Sequence, residues 1–159
     1  MFSPAIRRSR AFSLIELVIV VVIIGIIAAI AIPKMSRGAS GANDGALRSN
    51  LAALRKAIDL YQAEHNNTFP TVALISDQLT KFTNEAGTVT PDGTQTGGYI
   101  YGPYIRTIPV QTVGAKKGQF GIAAADAAAI GWLYTAATGV IAANSAAVAD
   151  ANGVAYSTY

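Results

Sequence analysis

A chain of 159 residues is long enough for one domain of modest size. Of these residues 52% are hydrophobic and 13% charged, and none is cysteine, which excludes disulfide staples, thiol chemistry and cysteine-ligated metals. The net charge of +3 is local: taking Arg7, Arg8 and Arg10 from the 12 Lys and Arg leaves nine against 9 Asp and Glu, so no basic surface argues for nucleic acid.

The three arginines precede Leu14–Ile32, 19 residues whose single charge is Glu16. As a helix this run spans about 28 Å, close to the hydrocarbon thickness of a bilayer. Arginines before an apolar segment hold that end in the cytoplasm, so the chain beyond Pro33 is expected on the other side of the membrane. The run is longer than the apolar core of a secretory signal. A cut near Ala29 or Ala31 and an uncleaved signal anchor are both open readings, but neither accounts for Glu16. A charge at the bilayer centre costs about 2.5–3.5 kcal/mol, so Glu16 calls for a partner or must snorkel to the nearby interface.

The stretch AFSLIELVIVVVIIGIIAAIAIP, residues 11–33, resembles the class III signal of type IV pilins and type II secretion pseudopilins. Counted from Phe12, Glu16 is fifth and Pro33 is 22nd, as in that family. The family's residue before the cut is Gly, and here it is Ala11. The resemblance implies a leader over 1–11, cut between Ala11 and Phe12 by a prepilin peptidase, and N-methylation of Phe12. It implies that Glu16 registers the subunit against the amino terminus of a neighbour during assembly. The same likeness implies a membrane-spanning and filament-core helix over 12–33 and a periplasmic part of the long helix over 34–71.

Pro33 cannot donate a helical hydrogen bond, and Gly25 lies eight residues earlier. The pair marks a deformable joint, with a kink and a local loosening both open. After Pro33, Gly38, Gly41 and Gly45 predict a weak or kinked section over 34–45, since each costs up to about 1 kcal/mol in a helix. Leu47, Leu51, Leu54, Ile58 and Tyr61 then recur at helical spacing and predict a helix over 46–64, ending at EHNN, with this face on a sheet. His65 at that end is expected to meet the helix dipole or solvent.

Leu54, Arg55, Asp59, Tyr61, Phe69, Pro70 and Thr71 form a pattern similar to the helix exit of major pseudopilins. Residues 72–159 form the head. VALISDQLTKF predicts a short helix, and TNEAGTVTPDGTQTGG a loop. In YIYGPYIRTIPVQTV, Pro103 and Pro109 confine any strand to an edge or interrupt it; its GPYIRTIPV also resembles a pseudopilin turn. QFGIAA, IGWLYTA and TGVIAAN predict three short strands, the last two joined by a hairpin at Thr138-Gly139. Trp132, Tyr134 and Ile122 are the expected core partners of the helix face. The tail, SAAVADANGVAYSTY, has little pattern and is expected to be loose or irregularly packed. The fold class is therefore α+β: a long N-terminal helix against a small C-terminal antiparallel sheet, as in pilins.

With one His, scattered Asp and no P-loop, dinucleotide or HExxH motif, nothing in the sequence argues for an enzyme. Major pseudopilins bind calcium in a C-terminal loop. The matching region, AKKGQFGIAAADAAAIGW, offers Asp126 as its one carboxylate, beside Lys116 and Lys117, so Asp126 is a weak calcium candidate and otherwise a turn residue; no other cofactor is expected.

By resemblance the protein is closest to the major pseudopilin of a type II secretion system. That implies a single-pass bacterial inner-membrane protein with a periplasmic head, polymerised into a homo-oligomeric pseudopilus to drive protein export. Its partners would be membrane lipid, minor pseudopilins, and the inner-membrane assembly platform with its ATPase. A subunit of a type IV or competence pilus and a monomeric signal-anchored binding protein are the alternatives.

Overall fold

The computed structural model describes residues 12–145, 150 and 153–159. Residues 1–11, which include the expected leader and Ala11, lie outside the described residues. The chain divides into two compact units, one ending at Ala39 and the other running from Ser40 to Tyr159.

Helix α1 runs from Leu14 to Glu64, 51 residues. In the first unit its apolar residues are uncovered: none of Leu14–Ile32 is buried, and Leu14 is 81% exposed. Contiguous apolar surface on this scale marks a membrane or a protein interface. Residues 34–45, expected to be weak or kinked, are helical. A Cβ at Gly38, Gly41 or Gly45 would meet nothing within 4 Å, so these glycines answer to no close neighbour within the chain.

In the second unit the predicted helix face forms the core. Leu47, Leu51, Leu54, Ile58 and Tyr61 are each 2% exposed or less. They pack with Ile75, Leu79, Trp132, Tyr134 and Ile141 in one apolar cluster. The helix ends where Asn66 and Asn67 turn left-handed, with φ of 50° and 61°. The Asn67 amide closes back on the Gln62 carbonyl at 3.0 Å, an asparagine version of a left-handed helix cap. The chain from His65 to Thr71 is therefore a non-helical exit. Helix α2, Ile75–Thr80, buries Ile75 and Leu79. Its Gln78 fastens the loops on either side, accepting from the Thr71 amide at 2.9 Å and donating to the Gly87 carbonyl at 2.8 Å. Between residues 99 and 113 the pairing is limited to an isolated bridge from Tyr101 to Thr83.

The sheet contains β1 (Gly121–Ala123), β2 (Ile130–Thr135) and β3 (Val140–Ala143), in that order. Strands β2 and β3 form the expected antiparallel hairpin, with Trp132 opposite Ala143 and Tyr134 opposite Ile141. Gly139 turns it with φ of 69°, and its amide bonds the Thr135 carbonyl at 2.9 Å. The expectation of a fully antiparallel sheet is corrected. β1 pairs parallel to β2, with a register shift after Gly121. Residues 124–129 loop round and re-enter β2 in the same direction, which three residues of β1 permit. The close approach depends on glycine. A Cβ on Gly121 would press on the Ala129 carbonyl oxygen at 2.5 Å, and one on Gly131 would strike the Gln119 carbonyl. The polar ends of the two largest core side chains are satisfied: Trp132 Nε1 donates to the Pro109 carbonyl at 2.8 Å and the Tyr134 hydroxyl to that of Pro70 at 3.0 Å.

Candidate functional site

The residues expected to carry assembly lie on the first turns of α1. Phe12 is 80% exposed just before the helix, and the first helical bond runs from the Leu17 amide to the Ser13 carbonyl at 3.2 Å. Glu16 falls in the first turn. A carboxylate there faces the positive end of the helix dipole, which attracts negative charge. It nonetheless stands in a helix surface that is otherwise apolar, among exposed Ile15, Leu17 and Ile19. Gly25 and Pro33 are both helical in backbone. Pro33 has no N–H to give the Ala29 carbonyl, so the backbone hydrogen-bond ladder lacks a rung there.

His65 departs from expectation. It is 2% exposed rather than solvated, stacked on Tyr61 with ring centroids 3.8 Å apart and planes 5° from parallel. Its Nδ1 lies 2.9 Å from the Tyr61 carbonyl. Nε2 lies 3.0 Å from the Thr83 hydroxyl and 3.0 Å from the Asn84 carbonyl. With both ring nitrogens engaged and the ring covered, His65 is a structural pin under the helix end.

Asp126 lies in the loop between β1 and β2. Its Oδ1 receives the Lys116 ammonium at 2.6 Å and the Asn144 amide nitrogen at 2.8 Å. Lys116 also donates to the Ala127 carbonyl at 2.7 Å. Lys116 and then Asn144 hold the Asp126 carboxyl below its usual range. Asn144, itself 6% exposed, places its amide nitrogen on the Ile130 carbonyl as well, at 2.8 Å.

The described part of the tail is packed irregularly and fastened rather than loose. Tyr156 is 4% exposed and its hydroxyl donates to Asp44 on α1. Arg48 donates to the Tyr159 hydroxyl at 2.8 Å and to Asp150 at 3.3 Å, with its guanidinium 4.6 Å from the Tyr159 ring centre. The Tyr159 hydroxyl donates in turn to Asp150, and Arg55 donates to the Tyr159 main-chain oxygen. The sequence signal for this clasp is faint: two tyrosines in an alanine-rich tail, and basic residues beside the buried helix face.

No curated protein and no solved structure matches the chain. Residues 6–32 match the family model of the prokaryotic N-terminal methylation motif, the stretch that contains Phe12, Glu16 and the apolar part of α1. That motif supports a type IV pilin-like family for the chain and points to a structural subunit rather than an enzyme.

Proposed function

We propose that the protein is a filament subunit, processed at Phe12 and assembled through its N-terminal helix. The observation that carries this reading is Glu16, a carboxylate in the first turn of a helix whose apolar surface is uncovered over 19 residues, within a stretch matching the methylation motif. Leader removal between Ala11 and Phe12 creates an amine, which N-methylation keeps cationic. In lipid a lone subunit holds an unpaired carboxylate. Docking beside another subunit supplies the ammonium, and a buried charge without its partner is destabilising by about 3–5 kcal/mol. Assembly is therefore driven by relief of that penalty together with close packing of the apolar helices against one another. Gly25 and Pro33 give the packed helix a place to deform.

The finer reading is a major pseudopilin of a type II secretion system. The helix exit from Leu54 to Thr71 and the GPYIRTIPV turn favour it over a type IV or competence pilus subunit. On that reading the subunit waits in the bacterial inner membrane with its head in the periplasm. A prepilin peptidase, an assembly platform with its ATPase, and minor pseudopilins act on it.

N-terminal sequencing with intact mass, on protein purified from membranes, tests the proposal. A chain that starts at Phe12 and is heavier by one methyl group supports it. A chain that keeps residues 1–11 overturns it in favour of a signal-anchored monomer.

A further inference from the structure

We infer that the Lys116 ammonium closes the loop between β1 and β2 as a built-in cation, so that this head folds without a bound calcium ion. The likeness to major pseudopilins implies calcium in this region, and the donor set does not fit it. Calcium takes six to eight oxygen ligands, with carboxylates prominent among them. Here two oxygens converge, Asp126 Oδ1 and the Ala127 carbonyl, and Lys116 Nζ lies 2.6 Å and 2.7 Å from them.

The third group at the cluster opposes a metal. Asn144 stands between two acceptors, Asp126 Oδ1 and the Ile130 carbonyl, each at 2.8 Å. Only its NH₂ group satisfies both, so its nitrogen rather than its oxygen faces the carboxylate. Among the described residues no group of three or more His, Asp or Glu is placed to hold a metal ion.

The clasp ties three segments. Lys116 comes from the loop before β1, Asp126 and Ala127 from the loop after it, and Asn144 from the end of β3. An exposed ion pair alone contributes little. Here the lysine side chain is 20% exposed and the aspartate 62%, and the buried Asn144 fixes the carboxylate that receives the ammonium. The arrangement therefore holds the parallel β1–β2 pairing, which three residues of β1 hold weakly by themselves.

The test uses the full-length protein in detergent micelles, with hydrogen exchange resolved by mass spectrometry and thermal unfolding, each in excess EGTA and in millimolar calcium. The wild type is expected to show the same exchange over 121–130 and the same Tm in both. Lys116→Met is expected to raise exchange of that segment several-fold, in calcium and EGTA alike, and Asp126→Asn to do the same. Adding Asp126→Asn to Lys116→Met is expected to bring little further change, because the two act through one contact. A wild type that calcium protects or stabilises overturns the inference, as does a Lys116→Met protein whose loop exchanges like wild type. If Lys116→Met does not fold, the comparison of wild type in calcium and EGTA still decides. The readout is on the head, so its result is independent of whether the chain is cut at Phe12.

Discussion

The hydroxyl of Tyr156 donates to the carboxylate of Asp44 at 2.5 Å, across 112 residues of chain. Both groups are buried, so the bond fastens the tail to α1 within the glycine-rich section of the helix. Removing the donor leaves a covered carboxylate short of a partner, which costs about 1–3 kcal/mol. Tyr156→Phe is expected to lower the Tm of the full-length protein by that measure. Asp44→Asn keeps an acceptor and is expected to cost less. Unchanged melting in Tyr156→Phe would show that the clasp contributes nothing.

The same bond makes stability depend on alkaline pH. Donation to Asp44, reinforced by burial, pushes the Tyr156 hydroxyl up to about 12 from 10.0, and burial does the same to Tyr134. The folded state holds these protons more tightly than the unfolded one. Their contribution is thus complete below about pH 10 and is lost as pH rises toward about 12. Denaturation midpoints followed across that window should fall steeply. In Tyr156→Phe the fall should be shallower, and an equal slope in both proteins would contradict the assignment.

His65→Phe separates packing from polarity at the helix end. The new ring can keep the stack on Tyr61 but has nothing for Thr83 or the Asn84 carbonyl. The expected cost is about 1–3 kcal/mol, the penalty for buried polar groups left without partners. A solvated histidine at the same place would tolerate the change, so a Tm equal to wild type would refute the pinned geometry.

The elements legible in the sequence are those with a local period or turn. Leu47, Leu51, Leu54, Ile58 and Tyr61 announce their face by spacing, and Thr138-Gly139 announces the β2–β3 hairpin. The features that escaped depend on partners far along the chain. The alanines around Asp126 have no alternation, so nothing local indicates that β1 runs parallel to β2. Residues 34–45 read as weak because glycine propensity is a local property. Their helicity is anchored from outside, where Asp44 is bonded by Tyr156 and Leu47 enters the core. His65 sits in a polar run, and only Thr83 and Asn84, 18 and 19 residues on, reveal it as buried. The motif stretch that holds Phe12, Glu16 and Gly25 is legible because it is contiguous; the Lys116–Asp126–Asn144 and Arg48–Asp150–Tyr159 clasps are not, because their members lie far apart in the chain.

Glycine at the hairpin turn answers to two constraints at once. Gly139 has φ of 69°, and a Cβ there would run into the Phe69 ring. Gly139→Ala is expected to destabilise the head by about 1–3 kcal/mol from backbone strain, with the ring clash in addition. Gly118 is a control, with φ of 87° and open space around its Cβ position. Gly118→Ala should carry strain alone and cost less. Equal Tm losses for the two variants would show that the Phe69 contact yields without cost.

Glu16→Gln tests assembly apart from processing. Glutamine is uncharged, so the monomer no longer carries an unpaired carboxylate in lipid, and docking no longer relieves one. The apolar surface of α1 is unchanged, and membrane insertion should proceed as before. The expected outcome is normal removal of residues 1–11, full recovery in the membrane fraction, and a marked loss of sheared filament under conditions where wild type assembles. Adding Phe12→Ala to Glu16→Gln should change assembly little, because the amine at residue 12 survives the substitution and has already lost its counter-charge. If Glu16→Gln assembles as well as wild type, the carboxylate acts at the interface alone and the driving force lies wholly in helix packing.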